Sequence, residues 1–256
     1  MRKAVILTCC LLMCWAKLLI AQSLCTVTHY DEFSGMAQWW VTQIVQDKQG
    51  MIWISTWNGL NRYDGYEFVC FKSHAGDGVE IPSDRIDDIV LADNGSLRCN
   101  IDSRVFGFCT KTCRFFALSN EEEQHWIKFF DDKHKKELAV EILGKPQRHQ
   151  DLYGTEWLIS WDGGLRYRNP ANGQLIDYPA DWHGAKKIRK CIVDTEGNVW
   201  LTSNYGIFKL TFEKKSYKPF EQEVPMQVRC FYVDQKKRYW ITTRDNATVR
   251  LYNAKN

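Results

Sequence analysis

VTQIVQDKQGMIWISTWNGLNRYDGYEFVCF, residues 41–71, is the unit from which the rest of the chain is read. A short apolar run, Thr42–Gln46, leads into Asp47-Lys48-Gln49-Gly50. Asp at the first position and Gly at the fourth suit a type I turn whose last residue takes positive φ, the build of a tight hairpin. Met51-Ile52-Trp53-Ile54 is apolar without alternation, which reads as a strand buried on both faces. Trp57-Asn58-Gly59 turns the chain, Leu60–Tyr63 returns it, and Asp64-Gly65 turns it into Tyr66–Phe71. Short strands joined by tight turns make a meander sheet, and a repeated meander is the signature of a β-propeller.

The unit recurs with decreasing fidelity. From Ile86 the chain reads IDDIVLADNGSLRCNIDSRVFGFCTKTCRFFAL, with Gly95 in the place of Gly50 but Arg98 in the place of Trp53. Asp151, Gly154 and Trp157 restore the spacing of Asp47, Gly50 and Trp53, and Trp161-Asp162-Gly163-Gly164-Leu165 follows. Asp194, Gly197 and Trp200 repeat it, followed by Asn204-Tyr205-Gly206-Ile207. The last unit has Asp234, Lys237 and Trp240, then Thr242-Thr243-Arg244-Asp245. Lys237 replaces the turn glycine at a cost of about 1 kcal/mol if it must be left-handed. Residues 119–150 support two readings. Glu121-Glu122-Glu123 suits a helix start, while Ile127–Phe130 and Leu138–Leu143 flank a charged turn like a hairpin.

The fold class is therefore all-β, a β-propeller of about five four-stranded blades belonging to a larger propeller. The boundaries read as residues 34–72, 84–118, 120–180, 186–221 and 226–256 within a domain spanning 22–256. Leu24–Phe33 is a strand without a partner of its own, of the kind that completes the last blade and closes the ring. The fifth unit ends before a fourth strand, which predicts an open arc with an unpaired edge and self-association. The alternative is a ring closed by Leu24–Phe33 pairing with Val249–Tyr252.

A chain of 256 residues, 45% hydrophobic and 14% aromatic with 11 Trp, suffices for one large all-β domain. The formal charge of +3 is accounted for by Arg2, Lys3 and Lys17, so the remainder is neutral and carries no nucleic-acid footprint. Arg2-Lys3, the apolar run Ala4–Trp15 and the small residue Ala21 read as a signal peptide over residues 1–21, which places the protein in the periplasm. Lys17 leaves the run short for a spanning helix. Of the ten Cys, Cys9, Cys10 and Cys14 lie in this leader, while Cys70, Cys99, Cys191 and Cys230 fall in apolar strand runs as small hydrophobes. Cys109 and Cys113 flank a predicted hairpin and are read either as free thiols or as a cross-strand disulfide. Neither a zinc-ligand spacing nor a cofactor motif is present in the sequence.

Three segments together resemble a known family: HYDEF (29–33), IVQDKQGMIW (44–53) and STWNGLNRYDGYEF (55–68). In this order they resemble the first blade of the two-component regulator propeller repeat, in the periplasmic sensor of Bacteroidetes hybrid two-component systems. DLYGTEWLISWDGGLRY, DTEGNVWLTSNYGIFKL and DQKKRYWITT match it more loosely. The resemblance implies a sensor for oligosaccharides that controls glycan uptake genes. It also implies partners in the same polypeptide: further propeller blades, a membrane helix that anchors the sensor, and histidine kinase portions. This chain carries no phosphoacceptor region or nucleotide-binding segment, so it is read as the sensing portion alone, without catalytic residues.

In a propeller, the turn after the second strand of each blade and the loop between blades share one face; the Asp-x-x-Gly turns lie on the other. Trp57, Asn58, Trp161, Asp162, Asn204, Tyr205, Arg244 and Asp245 therefore form the candidate ligand site. Aromatic rings beside amide, carboxylate and guanidinium groups suit a polar, ring-shaped ligand with apolar faces; packing between blades is the competing role for Trp57 and Trp161. Two other functions remain open on the residues: a scaffold binding protein partners, and a five-bladed glycoside hydrolase using Asp162 and Asp245.

Overall fold

Each unit folds as an antiparallel four-stranded sheet. The computed structural model describes residues 25–73, 79–143, 147–150, 155–160, 165–169, 171–177, 188–193, 199–203, 206–213, 216–221, 228–243 and 248–254. Residues 1–21, expected to be a signal peptide, lie outside the described residues. Strand β1 (Cys25–Tyr30) is followed by the first sheet, β2 (Val41–Gln46), β3 (Ile52–Thr56), β4 (Gly59–Tyr63) and β5 (Phe68–Phe71). The second comprises β6 (Asp88–Leu91), β7 (Leu97–Ile101), β8 (Arg104–Cys109) and β9 (Arg114–Phe116), after which comes helix α1 (Asn120–Leu143). The third sheet is β10 (Gln147–Gln150), β11 (Glu156–Ile159), β12 (Leu165–Arg168) and β13 (Leu175–Asp177). The fourth is β14 (Ile188–Val193), β15 (Val199–Ser203), β16 (Gly206–Glu213) and β17 (Ser216–Glu221). The fifth runs β18 (Val228–Val233), β19 (Tyr239–Thr243) and β20 (Val249–Ala254), and its fourth strand is β1. These sheets are propeller blades. Their first strands lie inside, with β18 beside β2, β2 beside β6, and β10 beside β14.

The Asp-x-x-Gly turn is fastened by its own aspartate. Asp47 Oδ1 accepts the backbone N–H of Gln49 at 2.9 Å and of Met51 at 3.0 Å, and Oδ2 accepts Trp53 Nε1 at 2.8 Å. The last sheet repeats the device, with Asp234 Oδ2 accepting Trp240 Nε1 at 3.0 Å and Arg238 Nε at 2.7 Å. Lys237 adopts φ 60° in the place where Gly50 has φ 89°, so the left-handed conformation is kept at a cost of about 1 kcal/mol. Three of the indoles at this repeat position reach the next sheet. Trp53 meets Phe108 edge-on at 5.4 Å, Trp240 meets Tyr63 at 5.3 Å, and Trp200 lies 5.4 Å from Phe231.

One expectation is corrected and one open alternative is decided. The last sheet does have a receiving edge for the N-terminal strand: β1 pairs with β20, Tyr30 opposite Val249 through Cys25 opposite Ala254. The unpaired edge expected of an open arc is thus occupied, and Tyr30 locks the junction. Its ring stacks near Trp240 at 6.1 Å, and its hydroxyl bonds that of Tyr63 at 2.6 Å. The possible cross-strand disulfide also fails, because Cys109 registers with Arg114 and Phe108 with Phe115. Cys113 therefore falls on the Phe115 side, packed on the first two sheets' shared core, and both thiols are free.

Of the two readings of residues 119–150, the helix holds. Helix α1 lies against β7 and β8, on the face of the second sheet that lacks a tryptophan. Arg98, 5% exposed, sits with its guanidinium 5.5 Å over the Trp126 ring and 5.8 Å over Phe116. Gly107 is required beneath them, since a Cβ there would stand 2.2 Å from the Phe116 ring. Phe130 is buried in the same contact, and Arg104–Glu123 and Lys133–Asp88 ion pairs hold the helix along its length.

Candidate functional site

Of the predicted site residues, the structure describes Trp57 and Asn58; Trp161, Asp162, Asn204, Tyr205, Arg244 and Asp245 lie outside the described residues. Trp57 occupies the turn between β3 and β4. Gly59 makes that turn possible: its φ is 118°, and a Cβ would meet Cys70 Sγ and the Phe71 carbonyl at 2.9 Å. Asn58 is consumed by the fold. Its Nδ2 donates to the Ala37 carbonyl at 3.2 Å, and its Oδ1 accepts Lys72 Nζ at 2.7 Å. The amide thus straps the loop entering β2 onto the turn, and Asn61 Oδ1 adds a second strap by accepting the Ala37 N–H at 2.8 Å.

That strapped loop carries residues the sequence reading missed. Trp39 and Trp40 lie immediately before β2, and the Trp57 N–H donates to the Trp40 carbonyl at 3.3 Å. The Trp40 and Trp57 rings stand 4.4 Å apart, with Trp39 edge-on to Trp40 at 5.1 Å. Two guanidinium groups lie against the pair. Arg229, from β18 of the last sheet, lies 3.6 Å over Trp40 and 6.0 Å from the centre of the Trp57 ring, and Arg85, from the loop before β6, lies 4.6 Å over Trp57. The result is a cluster of two arginines and two indoles, tilted 36° to each other, which draws on three consecutive sheets. Trp57 remains 38% exposed.

The chemistry of this patch is dominated by donors. The faces of both guanidinium groups are held by indoles. Arg85 also pairs with Asp87 at 2.8 Å, an exposed contact of small worth. Beside the cluster, Trp40 Nε1 and Gln38 Oε1 are buried without a partner among the described residues. The Thr243 and Thr248 hydroxyls are likewise buried without a partner among the described residues. Asp88, on the inner strand β6, pairs with Lys133 of the helix and accepts Gln43 Nε2 at 3.5 Å. Among the described residues, no group of three His, Cys, Asp or Glu could hold a metal, and no helix is long and apolar enough to cross a membrane.

The sequence signal for Trp39 and Trp40 was present: two adjacent indoles in a polar approach to the first strand. Arg229 carried a weaker one, a charge inside the apolar run Val228–Val233.

Comparison with known proteins finds that residues 37–58 match the family described as two component regulator propeller. The matched segment contains the strapped loop, the first hairpin and Trp57. The chain is 35% identical over 52 residues to Histidine kinase P4 of Formosa agariphila, which covers 20% of this chain and 4% of that protein. The fold is similar to the extracellular domain of the hybrid two component system BT4673 from B. thetaiotaomicron, with TM-score 0.47 and 11% identity over 90% of this chain and 43% of that one. The corresponding domain of BT3049 from B. thetaiotaomicron gives TM-score 0.33 and 20% identity over 89% of this chain and 30% of that one. A streptogramin B lyase gives TM-score 0.44 and 9% identity over 90% of this chain and 97% of that one. The chain thus spans less than half the length of the two-component proteins it matches.

Proposed function

We propose that this propeller, which carries a two component regulator propeller repeat at residues 37–58, is the periplasmic ligand-sensing portion of a hybrid two-component sensor. Its ligand is an oligosaccharide, and it signals through membrane and kinase portions outside this chain. The observation that carries the reading is the half-exposed Trp57, held at one end of a rigid aromatic pair inside the repeat that defines the match. Pre-positioned indoles flanked by hydrogen-bond donors suit the apolar faces and hydroxyl edges of a sugar ring. Trp161, Asp162, Asn204, Tyr205, Arg244 and Asp245 complete the site from the other blades. Asn58 acts by holding the loop rather than the ligand.

Titration calorimetry of the full chain against a panel of plant and algal oligosaccharides tests the reading. Binding is expected at micromolar affinity and to fall about tenfold in Trp57→Ala, since loss of its exposed aromatic surface is worth on the order of 1–2 kcal/mol. Release of reducing ends, or tight capture of a protein with no glycan bound, would replace the sensor by an enzyme or a scaffold.

A further inference from the structure

We infer that Phe33 and Tyr66 form a docking patch for an arginine-bearing segment of a partner protein. Phe33 is 100% exposed and Tyr66 94%, and both sit on turns built to hold them. Asp31 caps the short 3-10 turn Glu32–Ser34: its Oδ1 accepts the Ser34 N–H at 3.0 Å, and Ser34 Oγ accepts the Asp31 N–H at 3.3 Å. Asp64 fastens the turn between β4 and β5 in the same manner, its Oδ1 accepting the N–H groups of Tyr66 at 2.8 Å and Glu67 at 3.0 Å. The two turns share a base. An added Cβ on Gly35 would stand 3.5 Å from the Phe68 carbonyl. Tyr30, which leads into the first turn, packs on Phe68 at 5.1 Å and bonds the Tyr63 hydroxyl at 2.6 Å, and that hydroxyl donates to the Gly65 carbonyl at 2.9 Å. Both exposed rings therefore rise from the same buried aromatic support, Tyr63 and Phe68.

Charge selects the occupant. Asp31, Glu32, Asp64 and Glu67 each lie within two residues of one ring or the other, and no ion pair among the described residues engages them. The neighbouring cation Arg62 is held elsewhere, over the Phe71 ring at 5.9 Å and 3.6 Å from Cys113 Sγ. Carboxylates around open rings repel a second copy of the same patch and an anionic lipid surface. They complement a guanidinium, which lies on an aromatic face while its N–H fork takes a carboxylate. Because each turn is held by its own hydrogen bonds, docking orders little that is not already ordered. The turn between β4 and β5 lies at the opposite end of the first sheet from Trp57, which sits between β3 and β4. The patch is thus separate from the glycan site and does not depend on it.

The test uses the full chain and a labelled peptide of alternating arginine and glycine, compared by fluorescence anisotropy with the same peptide carrying citrulline in place of arginine. Citrulline keeps the planar end group and removes the charge. The arginine peptide is expected to bind about tenfold or more tightly than the citrulline peptide, with an affinity that falls as salt rises. Phe33→Ala and Tyr66→Ala are each expected to weaken it about three- to fivefold, and Glu32→Gln combined with Glu67→Gln about fivefold or more. Phe129→Ala, which removes a ring 41% exposed on α1, is expected to leave binding unchanged. The substituted side chains are exposed, so each variant is expected to melt with the unsubstituted chain, and thermal melting checks it. Equal binding of the two peptides, or binding that survives both ring variants, overturns the docking patch. Self-association in sedimentation velocity that Phe33→Ala abolishes would assign the patch to a second copy. Flotation with phosphatidylcholine vesicles that Phe33→Ala abolishes would assign it to a membrane surface. Either result overturns the arginine-bearing partner.

Discussion

Substituting Asp47 by Ala isolates an interaction that the first and last sheets share. Asp47 is 3% exposed and Trp53 is fully buried, so nothing from solvent can replace the lost carboxylate. The change strands Trp53 Nε1, which now donates at 2.8 Å. An unsatisfied buried donor costs about 1–3 kcal/mol. It also releases the backbone N–H groups of Gln49 and Met51 from Oδ1, and loss of a comparable side-chain cap is worth about 1 kcal/mol. The expected destabilisation is therefore about 3 kcal/mol, a large share of the roughly 5–15 kcal/mol available to a domain. Asp47→Asn keeps one acceptor oxygen and loses the other, so about half of that cost is expected.

Urea unfolding followed by tryptophan fluorescence measures it as a shift of midpoint at constant slope. The decisive comparison is a double-mutant cycle with Trp53→Phe, which removes the indole donor. If the carboxylate acts on the indole, Asp47→Ala should cost about 1–2 kcal/mol less in the Phe background. A loss below about 0.5 kcal/mol in the wild-type background, or strict additivity in the cycle, would refute the reasoning.

Three further outcomes follow from other parts of the structure. Deletion of residues 25–30 bares the edge of β20, and sedimentation velocity should then show more self-association than in the full chain. Gly107→Ala forces a methyl group into the Phe116 ring, for an expected loss of about 1–3 kcal/mol in the same urea assay. Hydrogen bonds from the Thr112 side chain and backbone hold the Cys109 thiol below the ordinary range, whereas burial pushes Cys70 and Cys99 up. A lowered thiol enriches the reactive thiolate at lower pH, so mass spectrometry of iodoacetamide adducts should show Cys109 labelled first as pH is raised, and Cys99 last.

The hairpins were legible because their signals are local. Asp47 and Gly50 set the turn, the unbroken apolar Ile52–Ile54 sets the buried strand, and both lie within a few residues of each other. The partner of β1 was not legible in the same way. It joins Tyr30 to Val249, and no local pattern distinguishes a strand awaiting a missing blade from one that completes a distant one. Residues 120–143 were ambiguous for a related reason. Trp126, Ile127, Phe129 and Phe130 form a near-continuous apolar run that fits a strand, and only the docking of Trp126 and Phe130 on the second sheet makes it a helix. The site was half visible. Trp57 stood out as an aromatic at a turn, but its ring partners come from a loop before β2, a strand of the last sheet and the approach to the second.

The Arg98 position shows why a weak repeat need not be a decayed one. Elsewhere the strand after the turn supplies an indole that crosses to the next sheet, as Trp53, Trp200 and Trp240 do. The second sheet faces a helix instead, and a helix surface stands at a different height from a pleated sheet. A tryptophan on β7 would compete for the space that Trp126 and Phe116 occupy. With Arg98 in its place the indole arrives from the helix, and the guanidinium lies within 6 Å of both ring centres, 5.5 Å from Trp126 and 5.8 Å from Phe116. A charge buried to 5% exposure is costly unless aromatic faces and hydrogen bonds offset it; Nη1 donates to Ser96 Oγ, while Nε is without a partner among the described residues. Gly107 clears the floor for Phe116. Arg98, Gly107, Phe116 and Trp126 are thus one adaptation. It preserves an aromatic contact at the junction while exchanging the element that provides it.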